Sequence, residues 1–596
     1  MNQTNIEAQM KALHQDMKTL KEKASRFSTI RFLLVIGVIF FIYQAESSNR
    51  IFYMVSIILV VVFLYIAYLH RQVKSKLEDK ETMIEVYDGI VKRKNEEWKN
   101  FEDQGIDFLK EDMTQEMDLD VFGKASLFQY LNVASTLHGR EALAHLLSVK
   151  KQQPDNIIKR QNAVKELIDK QSFTLEMNML SRLFSKHAKK LKKKKLDSFL
   201  TYMEETMASQ AVILKLLSYI MPVMVILSFI LCGIGKLQIE IAMGCFTVTL
   251  CLAFIFFMGN SAQLSYVESM HDLIIDYERM FVNVAKQSFD CEELTQLKQQ
   301  LSDAQDGIRK LNQILGFVRV RSNSILFLFA NGLFLMDFHC MRALKKWKDQ
   351  YGNHVRGWLE AIGEMEALMS LAQLGYAKDH ICFGEVSNTF MIDMKHMAHP
   401  LINEEKAVSN SLQMVDGSYV ITGSNMSGKT TFLRTIGVNM ILFQAGAPVC
   451  ADEFIASPLS IYTSMRVHDD VSEGISTFYA EILRIKQMME ESKKKEPMLV
   501  LIDEIFKGTN SADRILCAKQ AIVRLHLPWV ICAVSTHDFE LCDLEYDEKI
   551  QARNYHFSEY YEDDRIHFDY TLKDGRCKTT NAKQLMKMAG FWEEWK

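Results

Sequence analysis

At 596 residues the chain is too long for one hydrophobic core, and roughly three to four domains are the default expectation. Its net charge of −4 supplies no global basic field of the kind that advertises nucleic acid. Eleven cysteines, with no CxxC or metal-ligand spacing, exclude a disulfide framework and read as reduced, buried side chains of a cytosolic face.

Residues 1–31 are polar and lysine-rich and lead into no small-residue cleavage site, so they are not a cleaved signal peptide. Two apolar runs follow, at 32–43 and 51–69. At about 1.5 Å per residue the second is long enough to cross a bilayer core of about 30 Å, whereas the first needs Ile30, Arg31, Gln44 and Ala45 to complete it. Lys18, Lys21, Lys23, Arg26 and Arg31 precede the pair, and Arg71, Lys74, Lys76 and Lys80 follow it. The positive-inside rule therefore predicts a transmembrane hairpin, about 30–45 and 51–69, with both ends cytoplasmic.

Residues 107–200 read as amphipathic helices ending in a dense cationic run at 186–195. Anionic lipid headgroups are the simpler partner for such a run just before a membrane segment, with DNA phosphates as the alternative. A second apolar pair, 216–234 and 241–258, predicts another hairpin; its Pro222 is tolerable because neighbouring helices re-satisfy the freed carbonyl. Residues 261–375 return to helical periodicity, with heptad-like spacing through Leu294, Leu297, Leu301, Ile308, Leu311 and Leu315.

From about residue 386 short strands and loops take over, and the chemistry concentrates there. A β-like run at 418–422 breaks into Gly423, Ser424, Asn425, Met426, Ser427, Gly428, Lys429, Thr430 and Thr431 and then into an apolar helix. Polyphosphate needs converging backbone N–H donors, glycines where a Cβ would clash, and a helix N-terminus behind them, so this is a phosphate-binding loop. Lys429 would reach the β- and γ-phosphates of ATP, and the Thr430 hydroxyl would ligate Mg²⁺. The wholly apolar run 498–502 ends in Asp503 and Glu504, as a parallel strand buried on both faces would. Asp503 fits the Mg²⁺ shell and Glu504 the base that prepares the attacking water. A third strand-like run, 529–534, ends at Ser535, Thr536 and His537, whose imidazole could sense the γ-phosphate.

These stretches resemble the MutS family of DNA mismatch-repair ATPases, relatives of ABC-type ATPases. The loop and its flank, ITGSNMSGKTTFLR at 421–434, carry the Asn-Met pair that marks that family's loop, and LIDEIFKGTNSAD at 501–513 is similar to its acidic strand. Residues 469–481 resemble the stretch that crosses to a partner subunit. The resemblance thus implies a homodimer in which Ser476 and Thr477 face the γ-phosphate held by the other protomer; a plain helix N-cap is the other reading of Ser476. Weaker similarity reaches the family's helical core, through residues 118–123, 135–140 and 160–164, and His399 with Pro400 resembles the lead-in to the nucleotide domain. Where the family carries its mismatch-reading domain and its DNA clamp, this chain has the two apolar hairpins instead, so ATP hydrolysis is implied while DNA, mismatched or branched, is left open as a ligand.

The expected fold is multidomain, with two transmembrane helical hairpins, an all-α lever or core, and a C-terminal α/β P-loop NTPase domain. Its boundaries are placed at 1–106, 107–200, 201–260, 261–385 and 386–596. The expected function is a membrane-anchored, multi-pass MutS-like ATPase whose N-terminus, helical core and ATPase domain are cytoplasmic. It would hydrolyse ATP with Mg²⁺ in a composite dimer site coupled to lever movement, with Glu504, His537 and Lys429 catalytic. An ABC-like transport ATPase and a nucleotide-switched membrane scaffold are the alternatives.

Overall fold

The computed structural model describes residues 3–47, 49, 51–188, 193–207, 212–319, 323–466, 477–506, 511–562 and 565–577. In chain order its helices begin with α1 (Gln3–Ser47), α2 (Ile51–Lys94), α3 (Thr114–Asp118), α4 (Leu127–Leu131), α5 (Leu137–Leu146) and α6 (Pro154–Asp169). Next come α7 (Gln171–Ala188), α8 (Lys193–Glu204), α9 (Val212–Gly233), α10 (Ile239–Glu268), α11 (His271–Lys286) and α12 (Glu292–Gln300). The helical half closes with α13 (Ala304–Val318), α14 (Ser324–Phe334), α15 (Met336–Tyr351) and α16 (Val355–Ala377). The C-terminal part adds α17 (Lys429–Ala445), α18 (Thr477–Ser492) and α19 (Ser511–Leu525) between its strands.

Two compact units divide the chain: residues 1–133, 140–174 and 367–596 form one, and residues 134–139 and 175–366 the other. In the first, α1 and α2 run antiparallel, tied by Tyr53 to Glu46 at 2.6 Å near the turn and by Lys80 to Asp16 at 2.9 Å near the open end. No residue of the most apolar 18-residue window of α1 is buried, and only 6% of the corresponding window of α2.

Among the described residues, that unit also holds three sheets. Strands β1 (Glu385–Val386), β2 (Met391–Met397), β3 (Asn410–Val415) and β5 (Glu453–Ala456) form a mixed sheet of order β1-β5-β2-β3. The larger sheet has the order β12-β9-β4-β8-β7-β6, using β4 (Gly417–Thr422), β6 (Ser460–Ser464), β7 (Met498–Asp503), β8 (Val530–Thr536), β9 (Arg553–His556) and β12 (Lys573–Asp574). Strands β10 (Glu559–Glu562) and β11 (Arg565–Phe568) pair as an antiparallel ribbon. In the larger sheet all neighbours are parallel except β12 against β9. A parallel sheet must be covered on both faces, which is why β7 and β8 are buried at every position and read as unbroken apolar runs. One face packs Val420, Val500 and Val534 against Ile485 of α18 and Ile522 and Leu525 of α19. The other receives α17: a Cβ at Gly437 would lie 3.2 Å from Leu501 and 2.6 Å from Leu119, so only glycine lets the helix sit this closely between them.

The second unit is helical. Within it α9, α10 and α14 pack on one another, with the Phe246 ring 6.4 Å from Phe329 and close enough to Gly332 to leave no room for a Cβ. The helix α9 has a hydropathy and length suited to a membrane, as have α1 and α2, and α10 contributes the shorter apolar stretch Ile239–Ile255. A feature absent from the sequence reading is α14, an apolar helix that ends on Leu335 in the left-handed region (φ 49°) and meets α15 at a bend of 77°. Asn323 caps it by accepting from Ile325 and Leu326 N–H, and the Asn331 side chain accepts from Asp337 N–H across the bend.

Candidate functional site

The register of the large sheet brings the chemistry-bearing strand ends together. Thr422 stands opposite Thr536, and Asp503 opposite Ser535, so β4, β7 and β8 finish on one edge and release the phosphate loop, Glu504 and His537 side by side. Behind the loop, α17 starts on Gly428, whose φ of 108° disfavours any side chain. Gly423, at φ 152°, could not carry a Cβ either: one would lie 2.7 Å from Ser427 Oγ and 2.8 Å from the Phe557 carbonyl oxygen.

Within this cradle Lys429 is buried and donates to the carbonyls of Gly423 and Ser424 at 3.0 and 2.9 Å. Its Nζ lies 3.4 Å from His537 Nε2, which is itself 3.0 Å from Glu504 Oε1. Thr430 Oγ1 donates to Asp503 Oδ2 at 2.7 Å, and Ser535 Oγ donates to Asp503 Oδ1. Ser535 also fixes the next residue: its carbonyl and hydroxyl oxygens accept from Glu504 N–H at 3.1 and 3.2 Å, while Glu504 sits at φ 50°. A backbone held in that sparsely populated region needs such over-determination, and here it turns the carboxylate toward the loop side of the sheet edge. Of the remaining loop residues, Asn425, Met426 and Thr431 are exposed and Ser424 Oγ donates to Glu559 at 2.8 Å. Ser427 Oγ is buried with no hydrogen-bond partner among the described residues.

A cavity of about 490 Å³ opens beside the loop, lined by Asn425 to Phe432, Glu504, His399, Val408, Phe557 and Tyr570. Asn410 positions Tyr570 by donating to its carbonyl at 3.1 Å and accepting from Leu572 N–H. Burial, reinforced by the Arg434 guanidinium, pushes the His399 imidazole down to about 4, so it is neutral at ordinary pH. Size, a mixed polar and apolar wall, loop N–H groups and the N-terminus of a 17-residue helix suit a nucleoside polyphosphate. Thr430 and Asp503 supply the hydroxyl and carboxylate oxygens that fit Mg²⁺, and the orphaned Ser427 hydroxyl is a polar group a phosphate would satisfy.

Ser476 lies outside the described residues, as do residues 467–475; Thr477 is the first residue of α18. Sequence reasoning missed the role of Asp118. Buried Asp118 accepts from Thr463 Oγ1 (2.7 Å), Met465 N–H (3.0 Å), Arg466 N–H (2.9 Å) and Arg484 (3.2 Å), gathering the end of β6 and the α18 helix. Asp120 adds ion pairs to Arg466 at 2.6 Å and to Arg434 of α17 at 3.0 Å. The two acids occur together in the sequence, but their partners lie more than 300 positions away.

A glycine-cradled loop between a buried parallel strand and a helix, with an acidic pair at the end of β7, two strands along the sheet, defines a P-loop nucleotide-binding domain. Residues 419–594 match the family model for MutS domain V, the P-loop ATPase domain of that family. Over 274 residues the chain is 31% identical to the DNA mismatch repair protein MutS of Aquifex pyrophilus, covering 44% of this chain and 30% of that protein. The MutS protein of Natronomonas pharaonis is 28% identical over 265 residues (43% and 30%), and that of a Thermus thermophilus strain 29% over 259 residues (42% and 30%). The chain thus spans about 30% of the length of these relatives, and its C-terminal part is similar to MutS domain V.

Proposed function

We propose that this chain is a membrane-anchored MutS-like ATPase that hydrolyses ATP in a composite dimer site and couples turnover to movement of its helical core. The observation that carries the reading is the convergence of Lys429, Thr430, Asp503, Glu504 and His537 on one sheet edge. Loop amides of Gly423 to Thr431 and Lys429 neutralise and orient the phosphates, which is most of what phosphoryl transfer asks of a protein. Thr430 and Asp503 would hold Mg²⁺, which would supply charge neutralisation to the phosphates. Glu504 accepts a proton from the attacking water, and His537, hydrogen-bonded to Glu504, senses the γ-phosphate side. Ser476 and Thr477 of a second copy complete the site, and two copies are therefore needed for turnover.

The helical core, 107–200 and 261–385, serves as the lever. Membrane anchoring is supported by apolar side chains exposed along the candidate spans, which water would not tolerate over such lengths. In the proposed topology α1–α2 and α9–α10 are hairpins, and the N-terminus, helical core and ATPase domain, 386–596, are cytoplasmic. The relatives are named for DNA mismatch repair, and mismatched or branched DNA is the candidate ligand of the core.

The test is steady-state ATP turnover by the detergent-purified chain at rising protein concentration, alone and with duplex, mismatched and branched DNA. Specific activity that climbs with concentration supports the dimer, and stimulation by one DNA form supports DNA coupling. Turnover absent at every concentration, with ATP bound, would replace the enzyme by a nucleotide-switched scaffold.

A further inference from the structure

The helical unit holds a cavity unrelated to the nucleotide site. It measures about 440 Å³ and lies between α13 and α15. Ile314, Phe317, Met336, Cys340, Ala343 and Trp347 give it an apolar wall, and the exposed lysines Lys310 and Lys346 give it positive charge. The two cations are not equivalent. Lys310 Nζ lies 2.6 Å from Asp306 and 3.0 Å from the Tyr351 hydroxyl, whereas Lys346 has no ion pair or hydrogen bond among the described residues.

Its place in the fold narrows the ligand. His339 Nε2 is 3.3 Å from the Ser218 carbonyl oxygen and Arg342 donates to the Tyr219 hydroxyl at 2.6 Å, so the first turns of α15 abut the first turns of the apolar helix α9. His339, Cys340 and Ala343, which line the cavity, belong to those same turns of α15. On the other side of the 77° bend, α14 exposes Ile325, Leu326 and Phe329. With 11 residues at about 1.5 Å each it is about 16 Å long, enough to enter one leaflet and too short to cross two. The cavity thus sits where greasy helices give way to charged chain, the level at which lipid headgroups lie.

We propose that the α13–α15 cavity binds one anionic glycerophospholipid, its phosphate at Lys346 and an acyl chain against Ile314, Phe317 and Trp347. The inference rests on the membrane reading above. A free phosphate would leave the apolar wall unfilled, and a zwitterionic headgroup would bring its own cation toward Lys346.

Native mass spectrometry of the detergent-purified full chain, with phosphatidylglycerol and phosphatidylcholine of equal acyl length, reads the preference directly. The wild type is expected to retain the anionic lipid about fivefold better, the size of one lysine's attraction to an acidic headgroup, and Lys346→Glu to abolish that preference. Ala343→Trp, which fills the cavity, is expected to lower retention of both lipids; should it misfold, the exposed Lys346→Glu still decides. Equal retention of the two lipids by the wild type, or an unchanged preference in Lys346→Glu, overturns the proposal. Displacement of the lipid by equimolar glycerol 3-phosphate overturns it as well, because the cavity would then be a soluble-phosphate site. Alkaline carbonate separates the two failures: a wild-type chain washed off membranes ends the membrane reading and this inference together. A chain that stays in the membrane without lipid preference ends this inference alone.

Discussion

The nucleotide site and the apolar helices treat water in opposite ways. At the nucleotide site polar side chains are buried, Lys429 at 4% and Asp503 at 9% exposure, the first paired with carbonyls and the second with hydroxyls of the fold. Along α1, α2 and α9 large apolar side chains are exposed, Phe32 at 67% and Ile57 at 64% among them, and none of the described residues covers them. Buried polar groups are stable only when satisfied, and exposed apolar surface of this extent is stable only against something other than water. On the proposed reading the first pattern serves the nucleotide and the second is met by lipid.

Val61→Arg strikes at the second half of that contrast and carries the largest expected effect. Val61 is 60% exposed in the middle of the apolar stretch of α2. In water such a change costs within about 0.5 kcal/mol. In a bilayer an arginine at the centre of a span costs about 2.5–3.5 kcal/mol, and a translocon insertion assay of this segment is expected to report that loss. A cost near zero would mean that α2 is solvated, and the contrast would collapse.

Glu504→Gln strikes at the first half. The substitution keeps the shape and a hydrogen bond to His537 while removing the basic oxygen, so ATP binding is expected to persist and turnover to fall at least about a hundredfold. Equilibrium nucleotide binding measured beside steady-state turnover separates the two. Undiminished turnover would take Glu504 out of the chemistry and leave it as a partner for His537.

How far the sequence reveals all this depends on the range of the interactions. The strand–loop–helix around Gly423 and Gly428 is legible because phosphate binding is a local problem solved within about a dozen residues. The strand ends at Asp503 and Thr536 are legible because burial on both faces leaves uninterrupted apolar runs. The apolar helices announce themselves by length alone. By contrast α14 is too short for a span and too apolar for an ordinary amphipathic helix, so length and periodicity give no instruction, and its role depends on packing against α9 and α10. Asp118 and Asp120 read in the sequence only as part of a stretch resembling the family's helical core, until the fold brings Arg434, Arg466 and Arg484 to them. Ser424 and Glu559 likewise meet across 135 positions.

Ser535 belongs to that second group, and it offers the finest test of how the site is held. Its neighbours in sequence suggest nothing beyond a strand end, yet the register puts it opposite Asp503, where one hydroxyl serves two residues with different duties. Donating to Asp503 Oδ1, it leaves the other carboxylate oxygen, Oδ2, to Thr430; accepting from Glu504 N–H, it supports the strained backbone beneath the proposed base. Ser535→Ala removes only that oxygen and leaves the Ser535 carbonyl still bonded to Glu504 N–H. A net hydrogen bond of about 1 kcal/mol corresponds to about fivefold, and the loss is expected in turnover, with a raised Mg²⁺ requirement as its signature. A fivefold loss that added Mg²⁺ restores would assign the serine to Asp503; the same loss untouched by Mg²⁺ would assign it to Glu504. No loss at all would mean that burial of the strand ends, without this bridge, is enough to hold both acids in place.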